Sequence, residues 1–353
     1  MSTVMTDLPD DRAISVMADS RRRRARRLCV SGLIIALLLV AVFVVTLSVG
    51  TQRMTFGDVV STLVGQGTTR TDLVVLRLRM PRALTSMFVG AALGLAGAVF
   101  QRVLRNTLAS PDVVGIGAGA AVGAVTASVT LGLSGAAVSG SAVVGAVVAA
   151  AVIMGLARKD GLQDSRFVLI GVGISSVLMA IVSYQMIRAS LTSAQQSLVW
   201  LTGSVAKATW SSTVPLIVSC AVLIPAAAIG CAVVLPRLEL GDDLAIGLGL
   251  GVARARVGLI VVGVLLVATA VAAAGPVSFV ALMSGPTAAR IAGPGRGSVL
   301  HAAGIGALLI SVSDLVARHL IADVALPVGV VTGALGAPYM LWLLARTRSG
   351  GTP

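Results

Sequence analysis

Arg79-Met80-Pro81-Arg82 begins a segment that continues as a long apolar run and ends as Gln101-Arg102-Val103-Leu104-Arg105-Asn106-Thr107-Leu108-Ala109-Ser110-Pro111. The apolar run has the length of a membrane-spanning helix. Its ends are unusual, because Arg, Pro, Gln and Asn stand close together and lead into the glycine-rich residues 115–119. Such dense polar ends indicate a transport protein rather than a simple membrane anchor.

The composition of the whole chain agrees with a membrane protein. Its 353 residues are 56% hydrophobic and 12% charged, and the mean hydropathy is +0.99. No soluble domain of this size has such values. We therefore predict an all-α, polytopic membrane protein.

Apolar runs of about 20 residues recur along the sequence, and each is long enough to cross a bilayer core about 30 Å thick. We predict one transmembrane domain over 28–346, between an Arg-rich tail (1–27) and a short tail (347–353). Ten spans are predicted: 28–50, 81–104, 114–132, 139–157, 166–188, 212–235, 254–274, 276–292, 298–317 and 327–346.

The distribution of basic residues orients these spans. With the N-terminus inside, nineteen Lys and Arg residues fall in cytoplasmic segments and eight fall outside. This agrees with the positive-inside rule and places both termini in the cytoplasm. A twin-arginine export signal is the competing reading of residues 21–50, but the apolar run is too long and no cleavage site follows it.

The segment 51–82 is an exception to this rule, because it carries five of the eight outside charges. Either the loop is long enough to tolerate them, or an acidic partner docks on the outer face.

Several other functions are disfavoured. The net charge of +13 resides in short connections and tails, so we expect contact with lipid headgroups and not with nucleic acid. The only lysines, Lys159 and Lys207, lie outside any phosphate-binding loop, so any ATP must be hydrolysed by another chain. His301, His319 and three cysteines in apolar runs do not mark a metal site.

Acidic residues are scarce inside the spans. Asp314 is the one carboxylate that we place within a span, and Arg318 follows it by one helical turn, as in a structural ion pair. A proton relay through carboxylates is therefore not expected.

A long cytoplasmic loop separates the sixth and seventh spans. It places Leu240, Leu244 and Leu248 at helical spacing, which is typical of a short amphipathic helix that docks on a partner. An interfacial linker is the alternative interpretation.

The chain resembles the iron–siderophore and vitamin B12 permeases, the membrane subunits of type II ABC importers. The similarity extends from about residue 30 to 346. It rests on Arg79-x-Pro81-Arg82, Gln101, Asn106-x-Leu108-Ala109-x-Pro111, the Leu240–Gly249 loop, Gly275-Pro276-x-x-Phe279-Val280 with Pro286 and Arg290, and Leu326-Pro327-x-Gly329.

The resemblance implies the type II permease fold and a set of partners. These are a second permease subunit, identical or different, two ATPase subunits that bind ATP and Mg²⁺, and an extracytoplasmic binding protein. No cofactor is implied for this chain. The implied coupling residues are Leu240, Gly241, Asp242, Asp243, Leu244, Ala245, Leu248 and Gly249. The implied docking residues are Arg79, Arg82 and Arg318. The implied translocation or structural residues are Gln101, Asn106, Leu108, Pro111, Gly275, Pro276, Pro286 and Arg290.

Two positions depart from the family pattern. Thr107 stands where a proline is common, which frees a backbone N–H, and Thr287 stands where a histidine is common.

From the resemblance we predict an ATP-driven importer of an iron chelate, with haem and cobalamin as further possible cargoes. A secondary transporter is the alternative, and a structural scaffold is a more distant third.

Overall fold

The computed structural model of the protein describes residues 11–50, 54–157, 164–293, 298–319 and 326–348. These residues form helices joined by short turns, and no strand occurs among them. The helices are α1 Asp11–Ser48, α2 Phe56–Leu63, α3 Thr69–Asp72, α4 Met80–Val103, α5 Ile116–Val125, α6 Ala136–Ala157, α7 Asp164–Arg188, α8 Leu191–Leu201, α9 Trp210–Leu238, α10 Asp242–Gly247, α11 Val252–Ala274, α12 Val280–Ala292, α13 Ser298–His319 and α14 Val328–Arg348. Two π-helical segments, Leu73–Arg79 and Thr126–Thr130, extend α4 and α5.

Seven of the described helical stretches are long and apolar enough to cross a membrane. They include α1, α6, α7, α9, α11, α13 and the stretch Thr69–Val103 that ends with α4. Shorter apolar helices occupy Ile116–Thr130 and Val328–Trp342. The prediction of an all-α, polytopic membrane protein is confirmed.

Each of the ten predicted spans overlaps a helix, but the span predicted at 276–292 differs in length. Its helix, α12, begins only at Val280 and contains 13 residues, or about 20 Å. Gly275 and Phe279 both have positive φ angles, of 72° and 68°, which interrupt the helix before this point. The predicted span is therefore a non-helical segment followed by a short helix.

The chain also contains helices that the hydropathy pattern did not predict. Helix α8 lies between the fifth and sixth predicted spans, and α2 and α3 lie in the outer loop. The Arg-rich segment 21–27, predicted as part of a tail, is helical and continuous with α1. Residues 1–10 and 349–353 of the two predicted tails, and Arg53, Arg158, Lys159 and Arg296, lie outside the described residues.

Helix α4 is the centre of the bundle. In its most apolar window 78% of the residues are buried, against 11% in the corresponding window of α1, which lies at the periphery. Helix α4 packs against α9, α11, α12 and α13. Each end of α4 carries polar residues of the segment 79–111, so α4 connects two distant surfaces.

The contact between α4 and α13 depends on glycine. A Cβ atom at Gly90 would overlap the carbonyl oxygen of Gly306, and a Cβ atom at Gly306 would overlap the carbonyl oxygen of Gly90. The two backbones are thus in direct contact, as at small-residue interfaces of membrane helices. This contact fixes the distance between the outer ends of the two helices.

Candidate functional site

The loop between α9 and α11, which the charge distribution predicts to be cytoplasmic, contains the short helix α10. Ala245 is fully buried and packs with Leu238 and Val252, which anchors α10 to the ends of α9 and α11. By contrast, Leu240, Leu244 and Leu248 are 55%, 61% and 59% exposed. The predicted leucine stripe therefore lies on the surface of the described chain, on a firmly anchored loop.

Asp242 attaches this loop to two other parts of the chain. Its carboxylate binds Arg256 of α11 at 2.9 Å and Arg105 at 3.3 Å. Arg105 also donates a hydrogen bond of 2.5 Å to the carbonyl oxygen of Leu238. Asp243 and Gly241 belong to the same turn, and Gly241 has a φ of 101° just before α10 begins. Arg105 thus joins the loop to the turn that follows α4.

That turn contains the motif residues 101–111. Gln101 is buried and donates a hydrogen bond of 3.0 Å to the carbonyl oxygen of Leu282 in α12. The Asn106 side chain accepts a hydrogen bond of 2.9 Å from the backbone N–H of Leu108, and the Pro111 carbonyl accepts one of 3.3 Å from Ile116. Thr107 is exposed at the tip of the turn. The turn therefore closes through Asn106 without the proline that is common at position 107.

A buried carboxylate lies where two short helices begin. The Asp112 side chain accepts a hydrogen bond from the backbone N–H of Phe279, the residue before α12. Its Oδ2 atom is buried and has no hydrogen-bond partner within the described residues. Asp112 is thus enclosed between the turn that precedes α5 and the segment that precedes α12.

Asp112 lies between the predicted spans 81–104 and 114–132, and the sequence pattern does not mark it as a buried residue. Only the contact between the turn and the interruption at 275–279 reveals its burial, because neither segment carries a periodic signal. In that interruption, a Cβ atom at Gly275 would overlap the carbonyl oxygen of Trp200, and Pro276 packs against Gly203. The motif residues Gly275 and Pro276 therefore hold the end of α8 against the end of α11.

Helix α12 carries the motif residues Pro286 and Arg290 and forms an open groove with α14. The groove has a volume of about 580 Å³ and is lined by Thr287, Arg290, Ile291, Pro338, Tyr339 and Trp342. The Arg290 guanidinium lies 4.5 Å from the centre of the Trp342 ring. The Thr287 hydroxyl is 3.1 Å from the Tyr339 hydroxyl, so a neutral hydrogen bond occupies the position where histidine is common.

The three arginines predicted to dock a partner differ in their surroundings. Arg79 is 8% exposed, and it donates hydrogen bonds of 2.7 and 3.1 Å to the carbonyl oxygens of Leu47 and Ser48 at the end of α1. Arg79, which the resemblance implies as a docking residue, is therefore largely withdrawn from the surface. Its guanidinium supplies donors to carbonyl groups of the last turn of α1, some of which have no partner within the helix.

Arg82 and Arg318 are partly exposed and share one carboxylate. Arg82 binds Asp314 at 2.7 Å, and Arg318 binds the other oxygen of Asp314. The Asp314 side chain is 1% exposed, whereas those of Arg82 and Arg318 are 17% and 13% exposed. The predicted pair of Asp314 with Arg318 is present, and Arg82 extends it to a triad.

The outer loop carries further exposed charge. Arg70 and Arg77 are exposed, and both lie between α2 and α4. Helix α2 begins at a capping box in which Thr55 donates hydrogen bonds to Asp58, and these bonds lower the pKa of the Asp58 carboxyl group. The loop is thus built of short capped helices, and its two exposed arginines are balanced in formal charge by Asp58 and Asp72.

Metal ions need sets of side-chain ligands that lie close together. No group of three or more His, Cys, Asp or Glu residues that could hold a metal ion occurs among residues that the structure describes. The predicted sites lie at opposite ends of α4. One is the leucine stripe with the contacts of Asp242, and the other is the triad of Arg82, Asp314 and Arg318.

Known proteins resemble the chain over nearly its whole length. The sequence model of the FecCD transport family matches residues 37–346. The ferric enterobactin transport system permease protein FepG of Escherichia coli K12 is 38% identical over 91% of this chain and 97% of its own length. The probable siderophore transport system permease protein YfhA of Bacillus subtilis 168 is 36% identical, over 88% of this chain and 92% of its own. A solved structure described as an inward-facing metal-chelate type ABC transporter is 28% identical and superimposes with a TM-score of 0.78, over 88% of this chain and 97% of that one.

Proposed function

The chain belongs to the FecCD transport family, and from that premise we propose that it is the membrane-spanning subunit of an ATP-binding-cassette importer whose cargo is an iron–siderophore complex. Two relatives with siderophore transport in their descriptions match this chain at 38% and 36% identity along almost the full length of both sequences. The proposal rests on this similarity, because it extends over almost the whole of each sequence. Cobalamin remains an alternative cargo, since a vitamin B12 import permease of Salmonella paratyphi A is 33% identical, and haem stays an alternative from the resemblance alone.

The leucine stripe supports a cytoplasmic ATPase as the first partner. Three exposed leucines on an anchored loop are unfavourable in water, and their burial in a cleft of a partner would stabilise the complex. Asp242 and Arg105 then connect that loop to the turn after α4. We infer that movement of two such ATPases changes the access of the pathway through this connection.

The triad supports an extracytoplasmic binding protein as the second partner. Arg82 and Arg318 together carry one more positive charge than Asp314 neutralises. Acidic side chains on the binding protein would complement it. Arg79 is assigned here to the support of α1 and not to docking.

A second permease subunit, identical or different, would complete the pathway. The exposed apolar residues on α7 and α14, such as Ile187 and Leu341, are available to that subunit and to lipid. The orientation with both termini in the cytoplasm follows the charge distribution.

The sequence disfavoured a secondary transporter because acidic residues are scarce inside the predicted spans. Asp112 is a buried acid, so this argument alone does not separate the two functions. The family match decides between the two functions. In addition, Asp112 is bound to the backbone of Phe279, as expected of a structural carboxylate.

The cargo is tested by uptake in a strain that lacks this gene and its paralogues. Complementation with the wild-type gene should restore uptake of ⁵⁵Fe bound to a siderophore and leave uptake of labelled cobalamin unchanged. Restored cobalamin uptake without iron uptake would contradict the assignment of an iron chelate.

A further inference from the structure

Asp314 lies between two arginines that come from different helices. Arg82 on α4 donates hydrogen bonds from its Nε atom (3.1 Å) and from a terminal nitrogen (2.7 Å) to Oδ1 of Asp314. Arg318, one turn after Asp314 on α13, donates to Oδ2. Both carboxylate oxygens are therefore occupied, and each arginine is held in one orientation.

The backbone beneath this triad is fixed. Gly90 and Gly306 bring α4 and α13 into direct contact, so the Cα positions of Arg82 and Arg318 have a defined separation. Long arginine side chains would still sample many rotamers at a surface. Asp314 removes that freedom, because its 1% exposed carboxylate binds both guanidinium groups.

An ion pair that only joined α4 to α13 would need one arginine. The second arginine leaves a net charge of +1 on a cluster that is largely withdrawn from solvent, which is unfavourable for stability alone. Each guanidinium also keeps donors that Asp314 does not use. One of them, Nε of Arg318, is buried and has no hydrogen-bond partner within the described residues.

We propose that Asp314 is the positioning residue of the docking surface, which holds Arg82 and Arg318 in the geometry that binds an acidic side chain of the extracytoplasmic binding protein. The inference rests on the proposed function, because it requires that a binding protein docks on this face. Two arginines fixed by one carboxylate form a preorganised carboxylate receptor, and preorganisation lowers the entropy that binding must remove.

The charge of the cluster makes the test decisive. Asp314→Asn raises the net charge of the triad from +1 to +2, so summed charge alone would tighten the binding of an acidic partner. Loss of positioning has the opposite effect. We expect the dissociation constant for the binding protein to rise about tenfold or more, as measured by biolayer interferometry on the complete complex in nanodiscs.

Asp72→Asn is the matched control, because Asp72 lies in α3 of the outer loop and the substitution also removes one negative charge. This variant should bind as tightly as the wild type or slightly more tightly. If Asp314→Asn does not assemble, Asp314→Glu replaces it, since the longer side chain keeps the charge but displaces the carboxylate by one methylene. We expect Asp314→Glu to weaken binding severalfold.

Two results separate this inference from the proposed function. If Arg82→Ala binds like the wild type, the face is not a docking surface and the proposed function fails at that step. If Arg82→Ala weakens binding but Asp314→Asn or Asp314→Glu binds as tightly as the wild type or more tightly, the positioning role of Asp314 is overturned.

Discussion

Replacement of the three exposed leucines of the loop between α9 and α11 by alanine should detach the proposed ATPase partner. Each Leu→Ala change removes three carbon atoms, and each carbon contributes about 0.8 kcal/mol when it is fully buried. Leu240, Leu244 and Leu248 are 55–61% exposed, so each offers somewhat more than half of that contribution to a partner. The triple variant should therefore lose up to about 4 kcal/mol, which corresponds to association weaker by on the order of a thousandfold.

The assay is the affinity of the purified ATPase subunit for the permease in nanodiscs, together with ATP-dependent uptake. The loop should stay folded, because Ala245 remains buried and alanine favours helix. Ile246→Ala is the matched control: Ile246 is 61% exposed but lies about 200° around the helix from Leu244. Wild-type affinity in the triple variant, or an equal loss in Ile246→Ala, would refute the role of the stripe.

Three further substitutions test the interior and its connections. Gly90→Ala should lower the thermal midpoint of the purified complex by the equivalent of about 1–3 kcal/mol through overlap with α13, whereas Gly155→Ala, at a glycine with no atom within 4 Å, should not. Asp112→Ala should lower stability by about 1–3 kcal/mol in the same measurement, because the N–H of Phe279 loses its acceptor. Asp112→Asn keeps an acceptor and should lower stability less. Equal losses of stability in the two variants would assign the effect to the charge of Asp112. Arg105→Ala should change stability by less than about 1 kcal/mol, since its ion pair with Asp242 is half exposed, yet lower the number of cargo molecules imported per ATP hydrolysed. An unchanged import ratio would remove Arg105 from the connection.

The positions of the long helices follow from hydropathy, because a bilayer demands about 20 apolar residues in each span. The same criterion fails for α8 and for the interruption at Gly275 to Phe279. Helix α8 has 11 residues and carries several polar side chains, so it resembles a loop in a hydropathy profile. The interruption depends on two positive φ angles, and no local pattern announces the one at Phe279.

The candidate sites show the same division. The exposure of the three leucines was predictable from their spacing, although only Leu244 lies within α10 and the helix is shorter than that spacing implies. The side-chain partners were not, since Asp242 with Arg105 and Asp314 with Arg82 join residues that are 137 and 232 positions apart. The burial of Arg79 was not predictable either, because its carbonyl partners lie 32 and 31 positions away in the sequence.

The energy source of transport distinguishes an ATP-driven importer from a secondary transporter. The permease, its ATPase subunits and its binding protein are reconstituted in vesicles, and uptake of a radiolabelled iron–siderophore complex is followed. We predict that uptake requires ATP and binding protein and continues when a protonophore collapses the proton gradient. Uptake that is driven by a proton gradient in the absence of ATP would contradict the assignment of this chain to an ATP-driven importer.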